Sequence, residues 1–261
     1  MIKLFRKIRQ NLIMENKTSK YLKYAIGEII LVVIGILIAL QINNWNSNRI
    51  QKQKESVYLN NIKRDLTEQL ATIDSQIAFE TFSIEAALPI IKHYKLHQTF
   101  EVDSLFTKSM GTLTGRNTFV KNDPTYTELI SSGNIDIISD DILKDNVIKY
   151  YQELGRIELI INKNNNLFTD AVFIPEILKI SELGTAVKTM IENTNNNITL
   201  IDLNETRLKE ITTKQLENPE NELIMINAVN YRYVLAILHI DRLNILRKET
   251  LHILEKIETK N

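Results

Sequence analysis

The chain has 261 residues, balances 32 basic against 32 acidic side chains, and contains no cysteine. The absence of cysteine excludes disulfides, thiolate catalysis and cysteine-ligated metal centres, and the balanced charge gives no overall basicity for binding nucleic acid. Seven Gly and four Pro supply too few tight turns for a β-sandwich or barrel. The composition therefore predicts an all-α fold.

Residues 1–23 form a basic lead-in, with seven Lys or Arg against the single acid Glu15. Apolar residues recur within it at steps of three or four: Ile2, Phe5, Ile8 and Leu12. This pattern predicts a short amphipathic helix on the cytoplasmic surface of an anionic membrane. A topology signal with no further role is an equally good interpretation.

Residues 24–42, YAIGEIILVVIGILIALQI, include twelve consecutive residues without a polar side chain, Ile29 to Leu40. A helix rises about 1.5 Å per residue, so this stretch can cross a hydrocarbon layer of about 30 Å. We predict one transmembrane helix. The excess of basic residues before it places the N-terminus in the cytoplasm and residues 43–261 outside. A cleaved signal peptide is the competing interpretation, but no small-x-small cleavage site follows. Trp45 lies where an interfacial aromatic residue is expected.

Small or apolar residues recur every fourth position on one face of the predicted span: Gly27, Leu31, Gly35 and Ala39. Gly35 and Ala39 form a small-x-x-x-small pair, which lets a second helix approach closely. The hypothesis is a packing seam for a homo-oligomer or a second membrane protein; the general frequency of Gly and Ala in spans is the alternative explanation. Glu28 lies about one turn inside the boundary, where we expect it to snorkel toward Lys20 or Lys23. A partner's basic residue or a proton-coupled role are its alternatives.

The block MIKLFRKIRQNL followed by SKYLKYAIGEIILVVIGILIALQINNWN resembles the N-terminal signature of a family of uncharacterised bacterial single-anchor membrane proteins, a domain of unknown function. The resemblance covers the first forty-eight residues closely and Asn122 to Tyr151 more loosely. The family commonly reads NNWNE, whereas position 47 is Ser here. The resemblance implies a protein of the bacterial envelope and supplies no activity.

Residues 43–261 predict an elongated antiparallel helical bundle. Apolar positions recur at helical spacing from Leu59 to Ile91 and from Leu223 to Ile257, which predicts a long first and a long last helix. Two long amphipathic helices with one apolar stripe each are natural antiparallel partners. Pro89 is expected to kink the first helix or to end it near Leu88.

Helix-starting and helix-ending residues predict further helices at these places: Asp103 to Gly115, 125–132, 140–172, 175–191, Glu205 to Asn218, and Pro219 to Glu258. The alternation of Ile135, Asp136 and Ile137 allows a brief extended piece, and residues 192–205 form a polar loop. The turn-rich insertion, residues 122–141, is the expected recognition surface because structured insertions often carry function.

His93 and His97 stand four residues apart, a spacing that can bind a metal, with Glu101 and Asp103 nearby. Two ligands without a fixed third make only a weak metal candidate, and solvated histidines at a helix end are the alternative. No phosphate-binding loop, nucleophile elbow or zinc-protease motif occurs in the sequence. We therefore expect no cofactor.

The sequence thus predicts a single-pass protein of the bacterial inner membrane with an external helical domain. Its expected role is non-catalytic, as an interaction, scaffold or sensory protein, and its expected partners are the lipid bilayer and a second membrane protein or a second copy. The alternative is an enzyme acting on envelope substrates, with a site between bundle helices near His93, His97 and residues 122–141.

Overall fold

The computed structural model describes residues 18–183 and 205–260. Throughout these ranges the regular elements are helices and no strand occurs, which confirms the predicted all-α fold. The amphipathic helix expected before residue 18 and nearly all of the polar loop at 192–205 lie outside the described residues.

The helical elements of the described residues follow one another in this order along the chain. Their bounds are α1 Thr18–His97, α2 Ser104–Thr114, α3 Pro124–Ser131, a 3-10 turn Ile135–Ile137, α4 Asp141–Asn164, a π-helix Asn165–Phe173, α5 Ile174–Ile180, α6 Glu205–Leu216 and α7 Pro219–Lys260.

The first and last helices are long, as the sequence predicts, and α1 passes without a break through the asparagine-rich residues 43–48. It also runs through Pro89 and ends only at His97, so the predicted end near Leu88 is wrong. Proline removes one hydrogen-bond donor, and the buried Ala87 and Ile90 hold the helix to the core on both sides of it.

The chain divides into two compact units, residues 1–57 and residues 58–261, each described separately below. In the first unit, the large apolar side chains from Ile29 to Leu40 are all exposed within the chain itself. Two of the described helices are long and apolar enough to cross a membrane by length and composition alone. None of the apolar window of α1 is buried, whereas 33% of that of α7 is, as in the core helix of a folded domain.

In the second unit, buried residues of the long helices alternate at steps of three and four. On α1 these positions are Leu59, Ile62, Leu66, Gln69, Ile73, Gln76, Glu80, Ser83, Ala87 and Ile90. On α7 they are Met225, Val229, Arg232, Ala236, His239, Leu243, Leu246, Thr250, Ile253 and Ile257. This is the seven-residue repeat of helices that pack along a continuous seam.

The apolar core of this unit falls into two clusters. One joins α4 to the part of α1 near Leu59 and the part of α7 near Ile257. The other joins α2 and α5 to the part of α1 near Ile90 and the part of α7 near Met225.

Two local expectations need correction. Ile135–Ile137 form a 3-10 turn instead of an extended piece, held by a bond from the Ile138 amide to the Ile135 carbonyl. The helix after Pro175 ends at Ile180, not near residue 191. Helix continues through residues 162–166, as predicted for 140–172, and asparagine side chains there bond to an adjacent chain segment instead of competing for the helix backbone.

Candidate functional site

A layer of buried polar side chains lies in the seam between α1 and α7, and we call it the polar layer. It consists of Gln76, Glu80, Ser83, Arg232 and His239, none more than 3% exposed. Neither apolar cluster includes any of these residues. Charged side chains are almost never buried this fully unless they are paired. The buried charge of Glu80 therefore depends on its hydrogen-bond partners.

Glu80 accepts hydrogen bonds from two residues of α7, Arg232 and His239. Nη1 of Arg232 lies 3.1 Å from Oε2 of Glu80, and Nδ1 of His239 lies 2.8 Å from Oε1. Arg232 also donates from Nη2 to the Ser83 hydroxyl at 3.0 Å. One carboxylate therefore holds two residues of α7 that are seven positions apart, two turns of one helix face.

Side-chain amides carry the network to two further elements. Gln76 donates to Oε1 of Glu80 at 3.1 Å and accepts at 3.0 Å from Asn117, which lies between α2 and α3. On the other side of the layer, Nδ2 of Asn164 faces Nε2 of His239 at 3.0 Å. With Nδ1 directed at a carboxylate, this arrangement suits the tautomer in which Nδ1 carries the proton and Nε2 accepts.

The electrostatics of Glu80 are dominated by two opposed effects. Burial alone would raise the pKa of Glu80, but the hydrogen bond from His239 and the positive charge of Arg232 outweigh burial and hold the pKa below its ordinary value. Arg232 places its guanidinium over the Phe79 ring, 5.8 Å from the centroid. Within the described residues, Nε of Arg232 has no hydrogen-bond partner.

The π-helix begins where α4 meets the polar layer. A π-helix has a wider turn than an α-helix, and the buried residues Asn165, Thr169 and Phe173 follow one another at steps of four. The change of pitch lets consecutive asparagines face different neighbours: Asn164 reaches His239, and Asn165 donates to the backbone carbonyl of Asn117 at 2.9 Å. A π-helical segment at this point is typical of a site under specific constraint.

Residues 115–123, which we call the strap, cross the domain without regular secondary structure. Its backbone bonds to side chains instead of to a neighbouring strand. Asn162 bonds both the amide (3.1 Å) and the carbonyl (2.8 Å) of Phe119, and Gln69 accepts from the Asn122 amide at 2.6 Å. These bonds satisfy backbone groups that would otherwise be buried without partners.

The predicted recognition insertion, residues 122–141, is also fixed to α1. The buried carboxylate of Asp65 accepts from the amide of Thr125 at 3.0 Å, and the Tyr58 hydroxyl donates to Glu128 at 2.8 Å. Gly133 has a φ of 68°, the left-handed conformation expected just after a helix end. The insertion is therefore a docked helix and turn.

Two of the cavities formed by the described residues of the second unit are not lined by Glu80, Arg232 or His239. One, of about 160 Å³, lies beside His93 and is lined by Phe100, Glu101 and Phe106 among others. The other is an open groove of about 700 Å³ between α4 and α7, with Lys149, Glu153, Lys248, Glu249 and His252 along it. The polar layer itself is sealed, since none of its five side chains is more than 3% exposed.

The predicted metal candidates do not assemble a metal site. His93 and His97 stack with ring centroids 4.5 Å apart, and Nδ1 of His93 lies 3.6 Å from Glu101. Asp103 caps α2 by accepting from the Phe106 amide at 2.7 Å, as the sequence predicts. Among the described residues no group of three or more potential ligands could hold a metal ion.

The enzyme hypothesis placed one site near His93, His97 and residues 122–141, and the structure does not bring them together. Asn122 bonds Gln69, which precedes His93 by 24 residues on the same helix. At about 1.5 Å per residue this is roughly 36 Å.

The predicted membrane residues are exposed in the isolated chain. Leu31 and Trp45 are each 65% exposed, and a Cβ added at Gly27 or Gly35 would meet no atom within 4 Å. Arg49 lies over the Trp45 ring at 5.7 Å from its centroid, and Glu28 is partly exposed.

Sequence reasoning missed the polar layer because it followed apolar residues alone. The apolar positions counted between Leu59 and Ile91 include Leu70, Ile77 and Ile84. These three are only partly buried, and the neighbouring Gln69, Gln76 and Ser83 take the seam positions. The available signal was the strict alternation of three and four, which continues through the polar residues.

A family model described as a family of unknown function (DUF6090) matches residues 28–172, more than half of the chain. No curated protein and no solved structure matches it significantly.

Proposed function

The chain belongs to this family of unknown function (DUF6090), and we propose that it is a single-pass membrane protein whose helical domain acts by binding other proteins rather than by catalysis. In this proposal residues 24–42 span the inner membrane of a bacterium, the N-terminus is cytoplasmic, and residues 43–261 lie on the other side.

The observation that carries the anchor is the uncovered apolar surface of α1. The large side chains from Ile29 to Leu40 are 47% to 65% exposed in the chain itself, and none of this window is buried. Apolar surface left in water costs about 25 cal/mol per Å², so a run of this length requires a cover. A lipid bilayer covers every face of one helix at once, which fits a segment that is apolar all round.

The orientation rests on charge. Seven Lys or Arg precede residue 24, whereas the fifteen residues after Ile42 contain Arg49, Lys52 and Lys54. The positive-inside bias then leaves the longer, C-terminal part outside the cytoplasm. Trp45 follows directly after the apolar run, where an amphipathic ring can lie at the headgroup level.

We also propose that α1 and α7 pair antiparallel in the second unit. Residues further along α1 contact residues earlier on α7: Lys63 with Glu258, Asp74 with Arg247, Glu80 with Arg232, and Tyr94 with Glu222. With α4 packed on α7, the arrangement resembles a three-helix bundle.

The non-catalytic role is supported by where the charged groups lie. Glu80, Arg232 and His239 are sealed in the seam, and the strap and the insertion are docked by hydrogen bonds. The groove between α4 and α7 is open and lined by charged residues of both signs, an arrangement suited to contact with another polypeptide.

A packing seam in the span supplies the proposed mode of association. A Cβ added at Gly35 would meet no atom within 4 Å beyond its own stretch of helix backbone, so we expect Gly35→Ile to leave the fold of the single chain intact. In a membrane association assay on the full-length chain, Gly35→Ile should abolish the signal of a second copy, whereas Leu37→Ile on another face should keep it. An unchanged signal for Gly35→Ile would refute the seam.

The anchor itself is tested by alkaline carbonate extraction of membranes holding the full-length chain. The unaltered chain should remain in the membrane pellet. Placing two carboxylates in the span by Val33→Asp with Leu37→Asp should release it, because each charge near the bilayer centre costs a few kcal/mol. The control, Ser75→Asp with Phe82→Asp, adds the same charges at exposed positions of the second unit and should stay in the pellet. Extraction of the unaltered chain would contradict the proposed anchor.

A further inference from the structure

The seams of α1 and α7 are periodic, and a periodic seam does not by itself define one alignment. Both helices repeat their buried positions every seven residues. Sliding one helix past the other by seven residues, about 10.5 Å at 1.5 Å per residue, again puts buried position against buried position. Apolar packing is tolerant of such exchanges when volume is conserved, so the apolar layers discriminate poorly between these alignments.

The polar layer is the place where the alignments differ. Glu80 accepts from both Arg232 and His239, which are one seven-residue repeat apart. A slip of α7 in one direction moves Arg232 away from Glu80 and toward the apolar residues near Ile90. A slip in the other direction moves His239 away, toward Ile73. In each case Glu80 loses one partner.

The cost of such a loss is set by burial. Glu80 is 0% exposed and Arg232 is 1% exposed, so neither charge can recover water after its partner leaves. An unpaired buried charge is among the most destabilising features a folded chain can contain. Helix α4 restricts slippage of α7 too, because its Asn164 contacts the imidazole nitrogen of His239 that does not face Glu80.

We propose that the polar layer is a register lock, which selects one alignment of α1 and α7 from the alternatives allowed by their seven-residue repeat. The lock rests on the antiparallel pairing proposed above. It contributes selectivity instead of net stability, because removing a complete buried ion pair in favour of apolar residues is often neutral or stabilising.

The native sequence contains no cysteine. A pair of introduced cysteines therefore reports the alignment of α1 and α7 without interference from other thiols. Asp74 and Arg247 form an ion pair at 2.7 Å in the observed register. In the full-length chain, Asp74→Cys with Arg247→Cys reports that register to a short bifunctional thiol reagent. The pairs Asp74→Cys with Ile240→Cys and Asp74→Cys with Leu254→Cys report a slip of one repeat in either direction.

Each pair is placed in three backgrounds. They are the native layer, an apolar layer made by Glu80→Met with Arg232→Met and His239→Leu, and a control, Leu243→Met, which changes a seam position that is already apolar. The native and control backgrounds should crosslink only at 74 with 247. The apolar layer should crosslink at 74 with 247 and also at 74 with 240 or 254, with an unfolding midpoint in denaturant that is unchanged or higher.

Two results would overturn the lock: an apolar layer that crosslinks only at 74 with 247, or one that unfolds. The failure of the antiparallel pairing would look different. In that case 74 and 247 would not crosslink in the native background.

Discussion

The substitution Arg232→Met isolates the energetic role of the polar layer. It removes one of the three hydrogen-bond donors of the Glu80 carboxylate, the one that carries the compensating guanidinium charge, at a site that is 0% exposed. The expected result is a strong loss of stability, because the remaining carboxylate cannot be rehydrated without opening the seam.

The magnitude follows from burial. Removing one partner of a buried pair typically costs about 3–5 kcal/mol. His239 and Gln76 still bond Glu80 in the variant, and Met fills most of the vacated volume, so we expect the lower end, about 3 kcal/mol. At about 1.4 kcal/mol per factor of ten, this lowers the ratio of folded to unfolded chain roughly a hundredfold, a large share of a domain's total of about 5–15 kcal/mol.

The assay is urea unfolding of the full-length chain in detergent micelles, followed by helical circular dichroism. The matched control is Arg247→Met, the same change on the same helix, where the partner is Asp74 and the two side chains are 42% and 49% exposed. An exposed pair contributes about 0–1 kcal/mol. If Arg232→Met costs no more than Arg247→Met, the reasoning about burial is wrong.

Three further predictions concern other parts of the chain. The folded-state pKa of Glu80 lies below its ordinary value of 4.5, so the stability that this carboxylate contributes is fully present above pH 4.5 and is lost as the pH falls through the folded pKa. The free energy of unfolding of a Glu80→Gln chain should therefore fall less steeply with pH below about pH 4.5 than that of the unaltered chain. Equal slopes for the two chains would contradict the shift. Asn162→Ala leaves the amide and the carbonyl of Phe119 without their hydrogen-bond partner. At about 1–3 kcal/mol for each unpaired buried group, it should lower the free energy of unfolding by about 2–4 kcal/mol in the same urea assay. The control Asn166→Ala, at an exposed position, should change it by no more than about 0.5 kcal/mol. Asp65→Asn keeps the size of the side chain but weakens the hydrogen bond that it accepts from the Thr125 amide. Amide hydrogen exchange should therefore accelerate more in α3 than in α2. Equal acceleration in the two helices would argue against docking of the insertion through Asp65.

The elements themselves could be predicted because strong local signals set them. The apolar run in α1, the cap at Asp103 and the start of α7 at Pro219 depend only on neighbouring residues, and each lies where the sequence predicts. Local signals failed where tertiary contacts decide. The alternation of Ile135, Asp136 and Ile137 suggests an extended piece, yet these residues form a 3-10 turn with Ile135 packed against the apolar core, a contact that no local pattern contains.

The polar layer was unpredictable for a related reason. Glu80 is separated from Arg232 and His239 by 152 and 159 residues of chain, and each of the three looks like one more polar residue on a solvated helix face. Their burial follows from the seven-residue repeat, which needs the polar residues to be counted as seam positions. His93 and His97 show the converse: their spacing suggests chemistry, and the structure gives them no third ligand among the described residues.

The central claim, one span with a cytoplasmic N-terminus and an external helical domain, is tested most directly by labelling single cysteines with a membrane-impermeant maleimide. Gln10→Cys and Ser56→Cys each introduce the only thiol of the chain, on either side of residues 24–42. In spheroplasts the account predicts that Ser56→Cys is labelled and that Gln10→Cys is labelled only after the membrane is permeabilised. Labelling of Gln10→Cys alone, or of both positions equally, would contradict it.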